Sequence, residues 1–280
     1  MIIQVLFLLH AYLIVVFGDI PAISMIMRMK GHNAISPCRM CNIQGVRIPS
    51  SSITTHYIPL NREHFPDVEH EYQANSLPLR NHQTFIKQAM EVHTASTSTA
   101  SDRLATKYGI KGLPLLTALT SLSFPLSFPY DFMHLIWCNL ILNLILLWTG
   151  QFKDLDHDNQ DYVLMPTVWQ AIGEATYNAG KTIPAAFGSR VPNIASEKAH
   201  MTAETYSIWT LYFAPTLLKG RFRHQRYYKH FIRLVELLMV CLEFEITQVD
   251  VDNLETGFQS WVMDYEKYIY IFIFICHDMI

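Results

Sequence analysis

Residues Val15–Gly45, VVFGDIPAISMIMRMKGHNAISPCRMCNIQG, decide how this chain is read. An apolar run ends in Gly18-Asp19-Ile20-Pro21, and the pair Cys38-Arg39-Met40-Cys41 follows soon after. A carboxylate at the end of a buried strand can hold a divalent metal for phosphoryl chemistry. Two thiolates two residues apart can clamp a structural zinc. The stretch therefore suggests a metal-dependent nucleic-acid enzyme with a zinc-stapled insertion. The plainer reading of Asp19 is a helix N-cap with Pro21 in the first turn.

Upstream, Met1 to Phe17 is rich in Val, Ile, Leu, Phe and Tyr, which predicts a strand or strand pair over 1–18. A secretory signal fits less well, because a basic start and a small-residue cleavage site before Asp19 are lacking. The run is also shorter than the about 20 residues a membrane span needs. Downstream, Pro21 to Lys30 predicts a short helix, and 31–66, rich in Pro, Ser, His and Gly, predicts loop unless something staples it. Thr84 to Tyr108 reads as helix broken by a connector at 94–99, and 109–129 as an extended packed loop. Asp131 opens a long apolar helix to about Trp148, as N-cap or first-turn acid. Further helices are expected near 163–179, 202–218, 224–246 and 250–268. The apolar tail Tyr268–Cys276 is too short to span a bilayer, and such a segment left unpaired is an aggregation hazard.

With 280 residues, half of them hydrophobic and 16% charged, global disorder is excluded and one large or two smaller domains fit. A net charge of −3 excludes a uniformly basic nucleic-acid binder, so any such contact must come from local charge. Five cysteines, only two of them close in sequence, do not fit a disulfide framework and point to a reducing compartment.

Four constellations carry chemistry. Cys38 and Cys41 with His56 and His64 give C-x2-C-x14-H-x7-H, a candidate zinc site whose last gap is longer than usual; His32, His70 or Asp67 could replace the fourth ligand. Asp131 and His134 share one face of an apolar helix, as a cap and a core histidine or as a metal-linked pair. Glu204 stands in the first turn of a capped helix, where it is a dipole partner or a catalytic acid. Residues 219–233, KGRFRHQRYYKHFIR, hold Lys219, Arg221, Arg223, Arg226, Lys229 and Arg233 with no acid, a candidate phosphate-backbone contact or a solvated helix face.

Read in order, FGDIPAISMIMRMKGHNAISPCRMC, HYIPL, LPLRNHQTFIKQA, YGIKGLPLL, PYDFMHLIWCN, TIPAAFGSRVPNI, TAETYSIWTLYFAPTLL and DNLETGFQSWVMDYE resemble the transposases of CACTA (En/Spm-like) cut-and-paste transposons, especially fungal forms. The resemblance implies a DDE/D enzyme with an RNase H-like core in which carboxylates hold two Mg²⁺ or Mn²⁺ ions for strand cleavage and transfer. Carried over residue by residue, Asp19 matches the second acid, Asp131 and His134 the D-x-x-H signature, and Glu204 the final Glu, with Glu197 and Glu174 as alternatives. Cys38, Cys41, His56 and His64 match the zinc-binding positions.

Departures from the pattern shape the expectation. The first acid of the family lies upstream of everything here, Cys138 stands where an acid is expected, and the tail after Tyr268 leaves the pattern. The implied fold is α/β to mostly α, an incomplete RNase H-like core without its opening strands, a zinc-binding loop and a large α-helical insertion. The implied segments are a core remnant at 1–30, a zinc loop at 31–80, a helical insertion at 81–201, C-terminal helices with the basic segment at 202–268 and an aberrant tail at 269–280. The implied function is a transposase fragment that is inactive alone, binds transposon ends in the nucleus, self-associates and does not enter a membrane. A non-catalytic, zinc-dependent DNA-binding protein of transposon origin is the alternative.

Overall fold

The computed structural model describes residues 10–31, 34–47, 58–63, 65, 72–152, 160–184, 186 and 188–268. The described chain is mostly α-helical. Its only β-type pairings among the described residues are two isolated antiparallel bridges, Met29 with Ile110 and Cys41 with Leu79. The expected strand over 1–18 is not formed where it can be followed. Residues 10–18 carry no strand, and 1–9 lie outside the described residues. The chain there hangs on single bonds instead, Val16 N–H donating to Ser127 O at 2.8 Å and Ser121 Oγ to Leu13 O at 2.6 Å.

Contacts divide the chain into two compact units, each drawn from separate stretches of sequence. The first holds 1–45, 54–56 and 78–131, the second 46–53, 57–77 and 132–280.

In the first unit, α1 (Ile20–Ile26) starts at Asp19, whose Oδ1 accepts from Ala22 N–H at 2.7 Å, with Pro21 in the first turn. Helix α2 (His82–His93) opens on a reciprocal capping box between Asn81 and Thr84. It buries Phe85, Ala89 and Val92, spaced four and three apart on one face. Helix α3 (Ser98–Tyr108) is capped by Thr97, so the Thr/Ser run expected as a connector shrinks to a turn that also starts the next helix. It ends at Gly109, at φ 71°, where an added Cβ would sit 1.9 Å from Ser36 O. Only glycine tolerates both the conformation and the approach.

The core of this unit gathers Ile23, Met27, Met29, Phe85, Ala89, Ile110, Leu122, Phe124 and Phe128. Phe124 stacks on Phe85 at 5.2 Å and tilts against Phe128 at 4.6 Å. Each such buried side chain contributes about 1.5–3 kcal/mol from lost water contact.

In the second unit the long apolar helix forms as expected, with an unexpected register. Met133–Ile141 is π-helical and runs into α4 (Leu142–Trp148). The residue at the cap position is Phe132, which makes no side-chain cap bond. Helix α5 (Pro166–Ala179) begins with proline, which lacks the N–H that a first helical turn leaves unused. Helix α6 (Ala203–Ile208) follows a Thr202–Thr205 capping box and passes through a second π segment, Trp209–Phe213, into α7 (Ala214–Leu217).

Helices α8 (Gln225–Cys241) and α9 (Gln248–Tyr268) form an antiparallel hairpin. Its seam is aromatic: His230 stacks on Trp261 at 4.4 Å, and Trp261 on Tyr265 at 5.4 Å. Elsewhere in the unit Trp148 meets Phe222 and Phe231 edge-on, and Trp169 meets Trp209. Toward the end of α9, Glu266 accepts from Leu60 and Asn61 N–H at 2.7 and 3.1 Å and so ties down the 58–65 loop.

Candidate metal knuckle and cationic helix face

Cys38 and Cys41 are both buried, 3% and 1% exposed, and neither is in a disulfide. The turn between them folds back so that Met40 N–H and Cys41 N–H each donate to Cys38 Sγ at 3.3 Å. Tyr130 Oη lies 3.5 Å from the same sulfur. These contacts hold the Cys38 thiol near pKa 6, well below its usual value. The hydrogen bond from Cys41 is the largest cause, burial opposes it, and Tyr130 and the two amides add to it. A thiolate is therefore accessible at neutral pH, which is the form that binds metal.

The loop owes its shape to residues far away in sequence. Arg80 Nε donates to Cys38 O and Cys41 O, each at 3.0 Å, and Nη2 donates to Tyr108 O at 2.9 Å. Nη1 reaches Gln88 Oε1 at 3.5 Å. The main chain reinforces this grip, with Arg80 N–H to Met40 O and Asn42 N–H to Pro78 O, both 2.8 Å. Arg39 lies over the Tyr130 ring at 3.9 Å and donates to Pro129 O. Two buried thiols, one already receiving two amide bonds, are half of the donor set that a structural zinc takes.

His56 and His64, the expected third and fourth ligands, lie outside the described residues, as do the substitutes His32, Asp67 and His70. Among the described residues no three metal-ligating side chains come together.

The acids expected to be catalytic are each placed locally. Asp19 caps α1. Asp131 and His134 are half-buried, Asp131 closing the first unit while His134 belongs to the second. Glu204 accepts from Ser189 through both N–H, at 3.1 Å, and Oγ, at 2.8 Å, beside a cavity of about 130 Å³ bounded by Ile183, Arg190, Ile208 and Phe213. Of its alternatives, Glu197 accepts from Asn193 N–H at 2.9 Å and Glu174 is exposed.

In the basic segment, Lys219, Arg221, Arg223, Arg226, Lys229 and Arg233 are all exposed, while Phe222, Tyr227 and Phe231 are buried. Arg226, Lys229 and Arg233 recur at helical spacing along one face of α8. Asp161 pairs with Arg223 at 2.9 Å and with His224 at 3.2 Å, and Glu236 pairs with Arg233 at 3.2 Å. Lys219, Arg221 and Lys229 have no acidic partner among the described residues.

No family model, curated protein or solved structure matches the chain. No helix among the described residues is long and apolar enough to cross a membrane.

The sequence pointed to both thiols and all six cations. It gave no sign of Arg80 or Tyr130, which stand 42 and 92 residues from Cys38. A lone Arg in LPLRN carries no local signal of what it will grip.

Proposed function

We propose that this chain acts on DNA as a portion of a cut-and-paste transposase, with DNA contact as the activity its own residues supply. One observation carries the reading: the basic segment turns its six cations to solvent and its aromatics inward. An exposed row of Lys and Arg without interleaved acid is what a phosphate backbone meets by charge alone. Zinc at Cys38 and Cys41, completed by His56 and His64, staples the 31–80 loop, and supplies a closed structural centre. The resemblance to CACTA transposases supports an RNase H-like origin for residues 1–30 and a nuclear site of action. It also supports roles for Asp19, Glu204, Asp131 and His134 as the metal-facing groups of strand cleavage. Transposon ends and a second copy of the chain are the partners it implies.

The test is binding of the purified full chain to duplex DNA by fluorescence anisotropy. Replacing Lys219, Arg221 and Lys229 together by glutamate should weaken binding at least tenfold for every duplex sequence tried. The salt slope should fall by about one per residue removed. Asp19→Asn should leave affinity unchanged. Unaltered binding by the triple variant contradicts the assignment of the interface.

A further inference from the structure

Arg80 is a buried cation, 5% exposed, and every acceptor of its guanidinium is neutral: the carbonyls of Cys38, Cys41 and Tyr108, and the side-chain oxygen of Gln88. Among the described residues no carboxylate pairs with it. Taking a guanidinium out of water is costly, so the bonds it makes there must be well placed. The fork grips the two carbonyls that bracket the Cys38–Cys41 turn, and that turn aims the amides of Met40 and Cys41 at Cys38 Sγ. The geometry thus converges on one pair of sulfurs.

Resting on the zinc reading of this pair, we infer that Arg80 is the positioning residue of the knuckle: its fork fixes the turn from which the two sulfurs hold a thiophilic divalent ion. The site is thereby a preformed half-site selective for soft ions, Zn²⁺ with Co²⁺ and Cd²⁺ as surrogates, over oxygen-seeking Mg²⁺. With the turn already held by Arg80, metal binding needs less reorganisation of the loop.

The experiment uses the full chain stripped of metal and titrated with Co²⁺, following the thiolate-to-cobalt charge-transfer band, then with Zn²⁺ against a chromogenic chelator. Wild type should show the band and bind one ion per chain. Arg80→Met should lose at least tenfold in Zn²⁺ affinity with its far-UV circular dichroism retained. Arg80→Lys, which keeps the charge and loses the fork, should fall between the two. Mg²⁺ in excess should displace nothing.

If Arg80→Met does not fold, Arg80→Lys alone decides: affinity weaker than wild type supports the inference, and equal affinity overturns it. A wild type that binds with both variants unchanged overturns the role of Arg80 and leaves the zinc reading standing. A wild type without the charge-transfer band overturns both.

Discussion

The arginines at the Cys38–Cys41 turn and those of the basic segment meet opposite fates. In the first unit Arg39 and Arg80 are each 5% exposed, Arg80 donating to the carbonyls of Cys38 and Cys41 and Arg39 to Pro129 O. In the second, Arg221, Arg223, Arg226 and Arg233 stand in solvent beside a core of Trp and Tyr rings. The cause lies in what each region has available for packing. Residues 34–47 offer few large apolar side chains and no regular ladder, so their carbonyls need donors from elsewhere. The α8–α9 hairpin has aromatic rings enough to close its own seam, and its cations stay on the exposed side. A guanidinium thus builds structure at the Cys38–Cys41 turn and presents charge along 219–233.

Stability should separate the two classes most sharply. Arg80→Ala removes the guanidinium donors from the carbonyls of Cys38, Cys41 and Tyr108 and should cost about 3–5 kcal/mol. Arg221→Ala, on the exposed row, should stay within about 0.5 kcal/mol. Urea denaturation measures both, and equal costs would break the comparison.

The aromatic seam carries its own titrating group. Burial lowers the pKa of His230 from 6.5 to about 4, although the Trp261 carbonyl, which accepts from Nε2 at 2.9 Å, and Asp264 both pull the other way. Its folded form is neutral while the unfolded chain takes up a proton below 6.5. The contribution is therefore complete above pH 6.5 and is lost as pH falls toward 4, amounting to about 3 kcal/mol over that gap. His230→Phe should keep the stack on Trp261 and remove this part of the acid sensitivity. A stability profile with the same slope between pH 6.5 and 4 would assign it to other groups.

A smaller effect concerns Thr210, in the second π segment. Its hydroxyl is fully buried and has no hydrogen-bond partner among the described residues. Thr210→Val should raise stability by roughly 1 kcal/mol, since it removes an unsatisfied polar atom at nearly constant shape. A loss on thermal melting would show that the hydroxyl is bonded.

What the sequence disclosed follows from how far each signal reaches. The α5, α8 and α9 helices were legible because their apolar residues recur at helical spacing, and the outward cations of α8 were legible because acids are absent among them. The α1 cap was legible too, in Asp19 followed by Pro21. Over 10–18 the expected strand does not form, because apolar composition alone does not supply a partner: Tyr12, Ile14 and Phe17 are 73, 65 and 70% exposed. The π register of Met133–Ile141 depends on packing rather than on local preference, and Asn139 Nδ2 donating to His134 O five residues back is a bond that composition does not foretell. Arg80 was invisible because its contacts are made across some 40 residues.

The central claim is that exposed charge on the second unit meets a phosphate backbone. The most direct measurement is the dependence of duplex-DNA affinity on salt for the wild-type chain. Six engaged cations predict a slope of log affinity on log salt near about −5, with little preference among sequences. A flat dependence, or no binding at low salt, would contradict it.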